Sequence, residues 1–422
     1  MKKSGLLSPD PEVIFMKYTK NFTISGWSCH GIDKTPVEKI KEWHELGLTV
    51  MIAHSNKNNW AQTHALLDEA EKCGMKLIIE DWDANMDNLR INGEEHYRES
   101  MKKLIAEFGS HPATYGFYIT DEPSADNIEV TLRACAINEE LAPHLTAYLN
   151  LLPWFDWIGE RMGTKEYAPY LDRVVAEGKV KVLSYDCYAQ MYANQVGYDD
   201  YFNNLREYYL ASKRNGLPFW NIVLSTGHYD YMCPTKDDLI WQMNTSVAHG
   251  AKGVSWFIID EPDGHNYRNA PINMLGERTP EYGVLSEVNR TFNAYHGKVF
   301  AHLEIDECYH VCKAYGGMPL FKPFGCVMEI ESRNALPLIA SSYHDEEGGK
   351  YFSVCNNSPY KVASVTLRVN DNVEIERCYF GNRFGNPTSL TDPVGELQNK
   401  GGNTKTYTFF LSPGQIALFR EK

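Results

Sequence analysis

The chain reads as a (β/α)8 barrel followed by an antiparallel β-sandwich, and three observations predict this. From Phe22 to about Phe300, short β-rich runs alternate with polar stretches of helical period, which implies parallel strands joined by helical crossovers. The order helix, glycine, strand recurs at Gly47, Gly74, Gly178, Gly216 and Gly250, as helices that end in left-handed caps before a strand require. After about Ala301 the helical period fades, and short β-like runs separated by Gly, Asn, Pro and Asp turns take over.

The predicted barrel strands are FTISGWS from Phe22, LTVMIAHS from Leu48, MKLIIEDWD from Met75, ATYGFYITDEP from Ala113, HLTAYLNLLP from His144, KVKVLSYDCY from Lys179, PFWNIVLSTGHY from Pro218 and AKGVSWFIIDEP from Ala251. Roughly eight units over about 280 residues is the size of a closed barrel. Between them lie helical stretches such as TPVEKIKEWHELG, with Pro36 just inside its start, and NNWAQTHALLDEAEKCG, capped by Gly74. An open, doubly wound sheet is the competing layout. Its glycine-rich nucleotide turn is absent, because the first turn reads GWSCHGID rather than GxGxxG. Residues 1–300 are therefore expected to form the barrel and residues 301–422 the sandwich, with strands at CVMEIES, LPLIASSYH, YFSVCNNS, ASVTLRVN, VEIERCYFG, TYTFFLS and QIALFRE.

Composition narrows the function. The 422 residues carry 41 basic and 55 acidic side chains, a formal charge of −14, which repels nucleic acid and anionic membrane surfaces. No run is apolar and long enough to insert in a membrane, and MKKSGLLSPDPEVIF lacks the apolar core of a signal peptide, so the compartment stays open. The ten cysteines form no CxxC pair, and they read as buried thiols rather than a disulfide or metal framework. Aromatic residues make up 13% of the chain; most must be core, yet such rings also stack on sugars. Neither a cofactor nor a required metal is expected, and the oligomeric state is not legible.

In a barrel of this kind the active site lies at the C-terminal ends of the strands. The polar residues closing the runs are dominated by carboxylates, aromatics, His and Asn, the set that glycosidic hydrolysis needs. The strongest element is Thr120–Pro123, TDEP, after YGFYI. A carboxylate there sits beside apolar residues, and desolvation lifts its pKa toward that of a working general acid. Asp121 can equally cap the following helix.

The run GFYITDEP resembles the Asn-Glu-Pro signature on the fourth strand of the clan A glycoside hydrolases. That resemblance implies Glu122 as acid/base, Asp121 in the place of the Asn, and Trp256 of GVSWFIIDEPDG under the sugar. ERTPEYGVLSEVNRTFNAY is similar to the segment that closes such barrels, and LSPGQIALF to the last strand of their accessory domains. The departure is at strand seven, WNIVLSTGHYD, where the family's nucleophilic Glu has no counterpart. Three replacements are open: Asp186 in SYDCY first, Glu261 with Asp260 second, and the group Glu80, Asp81 and Asp83 third. A pairing of strands four and six also resembles the plan of α-galactosidase-like barrels, with Asp121 as nucleophile and Asp186 as acid/base.

Substrate contacts are expected from His54, Trp82, Asp83, Asp121, Asn150, Tyr185, Tyr188, His228, Trp256 and Asp260. For most of these a second-shell or capping role is the alternative. EDWD at Glu80–Asp83 is either substrate-facing, solvated or a Ca²⁺ cluster. A metal-dependent amidohydrolase would want an HxH pair where the first strand offers only His30, and a Ser triad would want GxSxG. The remaining rival is a sugar-binding barrel without turnover, which the missing strand-seven Glu favours.

Overall fold

The computed structural model describes residues 20–193, 197–264, 266–388 and 404–422. Eight parallel strands form the barrel: β1 (Thr23–Gly26), β2 (Val50–His54), β3 (Lys76–Glu80), β4 (Thr114–Asp121), β5 (Thr146–Leu151), β6 (Leu183–Asp186), β7 (Phe219–Leu224) and β8 (Gly253–Phe257). Neighbours pair in the order β1-β8-β7-β6-β5-β4-β3-β2, and the Thr49 N–H donates to the Ile24 carbonyl at 2.8 Å across the β1–β2 seam.

The crossovers are α1 (Glu38–Glu45), α2 (Trp60–Cys73), α3 (Met86–Asn92), α4 (Glu94–Phe108), α5 (Ile128–Leu141), α6 (Gly159–Met162), α7 (Tyr167–Gly178), α8 (Tyr198–Asn215) and α9 (Lys236–Ala248), followed by α10 (Pro280–Phe292) and a short α11 (Lys298–Phe300). Pro36 lies just outside α1 rather than inside it. Gly74 and Gly216 do cap their helices in the left-handed region. At Gly178 the chain differs: that glycine is still helical, its bare Cα faces Leu132, and Lys179 takes the left-handed position.

The barrel interior is packed, as its period-two alternation demands. Val50, Ile52, Ile78, Tyr118, Tyr148, Val182 and Trp220 fill the lower layers, and Ile222, Leu224, Met191 and Tyr188 lie nearer the mouth. Beyond α11 the sandwich has a three-stranded sheet, β10 (Val327–Ser332), β13 (Ala363–Asn370) and β16 (Thr404–Leu411). Its six-stranded partner joins β9 (Glu304–Val311), β11 (Leu338–His344), β12 (Lys350–Asn356), β14 (Ile375–Tyr379), β15 (Arg383–Gly385) and β17 (Ile416–Glu421).

The larger sheet is buried on both faces. Phe352 and Val354 of β12 face the sandwich core, while Tyr351 and Cys355 join the core of the barrel. β9 is absent from the predicted strands because Glu304, Asp306 and Glu307 mask its buried positions, Ile305, Cys308 and His310. All ten cysteines are free thiols, and no helix among the described residues is long and apolar enough to cross a membrane.

Candidate active site

The mouth chemistry starts with a bulge in β4. Opposite β5, Tyr118 pairs with Tyr148 but Thr120 pairs with Leu149, so Ile119 is an extra residue. The bulge lets both Tyr118 and Asp121 face the barrel axis and sends Ile119 into the helix layer. Asp121 does not cap a helix: the next one, α5, starts at Ile128. Instead its Oδ1 accepts the Asn150 amide at 2.9 Å.

Asn150, buried at the end of β5, organises the site. Its Nδ2 donates to Asp121 Oδ1 at 2.9 Å and to Asp186 Oδ1 at 2.8 Å. Its Oδ1 accepts from the Ser184 hydroxyl at 3.3 Å, and Ser184 in turn bonds the Tyr148 hydroxyl at 2.9 Å. A hydroxyl donor on one side and two carboxyls on the other fix which way the amide points. Two bonds from one NH2 hold the Asp121 and Asp186 oxygens within about 5.7 Å of each other.

Glu122 follows with a left-handed backbone, φ 43°, its N–H donating to the Asn150 carbonyl at 3.0 Å. Its carboxyl lies 3.6 Å from Arg161 of α6 and directly against Asp186. Burial raises the Glu122 pKa most, Asp121 adds to it, and Arg161 with Asp186 oppose the rise. Asp186 is pushed well above the carboxylate range by burial, then by the charges of Glu122 and Asp121. The contact between the two favours the proton on Asp186 and the charge on Glu122. Asp121 is solvent-accessible; burial raises its pKa too, while the Asn150 amide and the Glu122 N–H hold it down.

A fourth carboxyl, Glu80 of β3, reaches the same floor. His54 Nδ1 is 3.2 Å from it, while His54 Nε2 donates to the Ser28 carbonyl at 3.2 Å. Both ring nitrogens thus face oxygen. Burial raises the Glu80 pKa, His54 opposes this, and Asp121 reinforces it. The opposite wall is aromatic: Tyr188 stacks on Phe257 (5.7 Å, 24°) and meets His228 edge-on, and His228 stacks on Tyr267 at 5.1 Å. Burial lowers the His228 pKa, and Arg268 lowers it further.

The mouth therefore brings together His54, Asp121, Glu122, Asn150, Asp186, Tyr188 and His228, while Trp82 stands 49% exposed after β3. Four expected contacts are elsewhere. Trp256 is fully buried with Nε1 on Asn289, because alternation turns it to the helix layer and Phe257 to the mouth. Tyr185 is likewise buried, stacked on Tyr208 of α8 at 3.8 Å. Asp260 is buried in an ion pair with Lys39 at 3.2 Å. Asp83 is buried beside Asp81, which accepts its N–H and the indole N–H of Trp60. Glu261 lies past Asp260, held through its N–H to Ile272, and the carboxyl against Glu122 is that of Asp186. Phe257, Arg161 and the Tyr148–Ser184 relay were not singled out from sequence. Their signal was strand parity and an Arg one turn into a mouth loop. Among the described residues no group of three or more His, Cys, Asp or Glu is arranged to hold a metal ion.

Fold and mouth together define a (β/α)8 barrel with a carboxyl-lined floor, joined to a C-terminal sandwich. The chain belongs to the DUF4434 family, described as a domain of unknown function, whose profile matches residues 46–262. No curated protein matches the sequence. Among solved structures it is similar to a glycoside hydrolase at 12% identity and TM-score 0.54, covering 95% of this chain and 92% of that one. It is also similar to a glycoside hydrolase family 5 protein of Bacteroides vulgatus at 11% identity and TM-score 0.52, covering 94% and 89%. Against a β-galactosidase of the psychrophilic Marinomonas ef1 (10% identity, TM-score 0.49) the alignment covers 64% of this chain and only 60% of that one. These likenesses are of fold.

Proposed function

We propose that the protein is a glycoside hydrolase in which Asp186 is the general acid/base, Asp121 the nucleophile and Glu122 the group that keeps Asp186 protonated. The observation that carries this reading is the bridge of Asn150, whose two donor bonds, 2.9 and 2.8 Å, bring the Asp121 and Asp186 oxygens within about 5.7 Å of each other. That bound accommodates the separation of retaining glycosidases, about 5–5.5 Å, and falls short of the roughly 6.5–9.5 Å of inverting ones. The charges fit as well: the acid needs a raised pKa, and Asp186 lies well above the carboxylate range, while the rise that burial gives Asp121 is opposed by its two donors, the Asn150 amide and the Glu122 N–H.

In this mechanism Asp186 gives its proton to the glycosidic oxygen as Asp121 attacks the anomeric carbon. The leaving alcohol departs, and a glycosyl ester on Asp121 remains. Asp186, now ionised beside Glu122, takes a proton from water, the water oxygen replaces Asp121, and the anomeric configuration is retained.

A second reading keeps Glu122 as the acid, as the Asn-Glu-Pro resemblance implies. Its support is that the Glu122 side chain is 32% exposed and its pKa is raised. Leaving-group dependence separates the two. The true acid, changed to its amide, loses about 10²–10⁴-fold on unactivated glycosides but little on dinitrophenyl glycosides. We expect Asp186→Asn to behave so, and Asp121→Gly to be rescued by azide as the inverted glycosyl azide. If the wild type cleaves nothing in a broad glycoside panel yet binds sugars, both readings fail and a sugar-binding barrel replaces them.

A further inference from the structure

The loop between β5 and α6 carries an indole with no structural duty. Trp157 is 72% exposed, yet it lies flat on Phe155 (ring centroids 5.5 Å apart, planes 5° apart), and Phe155 packs against the barrel core. An indole held flat against a neighbouring ring, with its other face in water, is a ready-made stacking surface. Its place is fixed relative to the floor. The Ile158 N–H donates to the Phe155 carbonyl and the Met162 N–H to the Ile158 carbonyl, so backbone helical from Ile158 leads to Arg161. Arg161 touches Glu122 at 3.6 Å, and its carbonyl accepts the Ala125 N–H at 2.8 Å, which ties the ledge to the loop after β4. Trp157 thus lies four residues before Arg161, whose side chain contacts the carboxyl cluster, on the connection that leads from β5 into α6. On the other side of the β4 loop, Trp82 after β3 is 49% exposed.

We propose that Trp157 is the stacking platform for a sugar unit next to the cleaved bond, and that the substrate is a neutral glycan chain lying across the mouth from Trp82 to Trp157. A sugar presents an apolar face that a flat indole covers, and a ring locked on Phe155 loses little freedom on binding. Neutrality follows from charge. Glu80, Asp121, Glu122 and Asp186 crowd the floor, the chain carries −14, Arg161 already faces Glu122, and Arg268, beside His228 on the opposite wall, is turned to the carbonyls of Asn266, Tyr229 and Tyr231. The chain-length requirement rests on the hydrolase reading; the stacking does not.

Two measurements on the full chain keep these apart. In affinity electrophoresis through gels of neutral glucans, mannans, xylans and galactans, wild type and Asp186→Asn should both be retarded in at least one gel. Trp157→Ala should run free there, and Trp157→Phe should fall between. On methylumbelliferyl glycosides of one and three sugar units, Trp157→Ala should lower the ratio of kcat/KM for the long over the short substrate about tenfold, through KM. Retardation lost without any turnover in the wild type would sink the hydrolase and keep the platform. Retardation of Trp157→Ala equal to wild type, an unchanged ratio, or no retardation of the wild type in any gel would overturn the platform.

Discussion

At the scale of the residue, the site is a problem of where one proton sits. Asp186 is crowded by Glu122 and Asp121, so its neutral form is the one the folded chain accommodates. Removing the Glu122 charge removes one cause of that shift. Glu122→Gln should therefore lower the Asp186 pKa and move the alkaline limb of the kcat/KM profile to lower pH, and a limb that stays or rises contradicts the assignment. Stability carries the same sign. A carboxyl whose folded pKa lies above its unfolded one binds more protons when folded, so the contribution of Asp186 to stability falls as pH rises from about 4. Asp186→Asn mimics the protonated acid: its amide oxygen can accept from Asn150 and its NH2 can donate to Glu122. We expect it to be more stable than wild type by about 1–2 kcal/mol at pH 8, with the gap closing toward pH 4, read by urea unfolding. Lost activity with gained stability is the combination expected of a catalytic acid.

At the scale of the element, strand parity decides which side chains reach the substrate. Strand positions, helix caps and the charged ends of the runs were legible because alternation and glycine caps are local. What was not legible was the phase of each strand end. One residue separates Trp256 in the helix layer from Phe257 at the mouth, and likewise Tyr185 from Asp186. The bulge at Ile119 is a tertiary feature, set by how β4 lies on β5, and without it Asp121 would point away from Asn150. Gly116 shows how tight that fit is, since a Cβ there would overlap the Thr146 backbone. Gly116→Ala should cost about 2–3 kcal/mol in urea unfolding and reduce activity by disturbing the β4–β5 register. A neutral substitution would mean that the two strands slide freely.

At the scale of the whole molecule, barrel and sandwich share a continuous core, and we expect them to unfold as one unit. The core of the barrel runs on into Ile339, Tyr343, Tyr351, Ile416 and Leu418 of the larger sheet. α9 makes the joint: Trp241 Nε1 donates to Asn357 Oδ1 at 2.9 Å, and Asn244 Nδ2 donates to the Gly414 carbonyl at 2.9 Å. At its end lies a buried imidazole pair whose protons can be placed. His249 Nδ1 faces the Thr245 carbonyl at 2.8 Å and must donate. His310 Nδ1 accepts the Tyr315 N–H at 3.1 Å, so its proton is on Nε2. That proton is donated to His249 Nε2 at 3.3 Å, and both rings are neutral. A proton added to either ring leaves two N–H groups or two donors face to face. Burial accordingly lowers the His249 pKa to about 4, and His310 falls well below its ordinary value through burial and His249. The unfolded chain takes up these protons first, from about pH 6.5 downward, so the stability this pair contributes falls as pH drops through that window. His249 alone accounts for about 3 kcal/mol between pH 6.5 and 4. Calorimetry should show one transition at pH 7 whose midpoint falls steeply in that range, and His310→Gln should flatten the fall. Two separate transitions at pH 7, or a stable barrel after truncation at Ala301, would show instead that the sandwich is only appended.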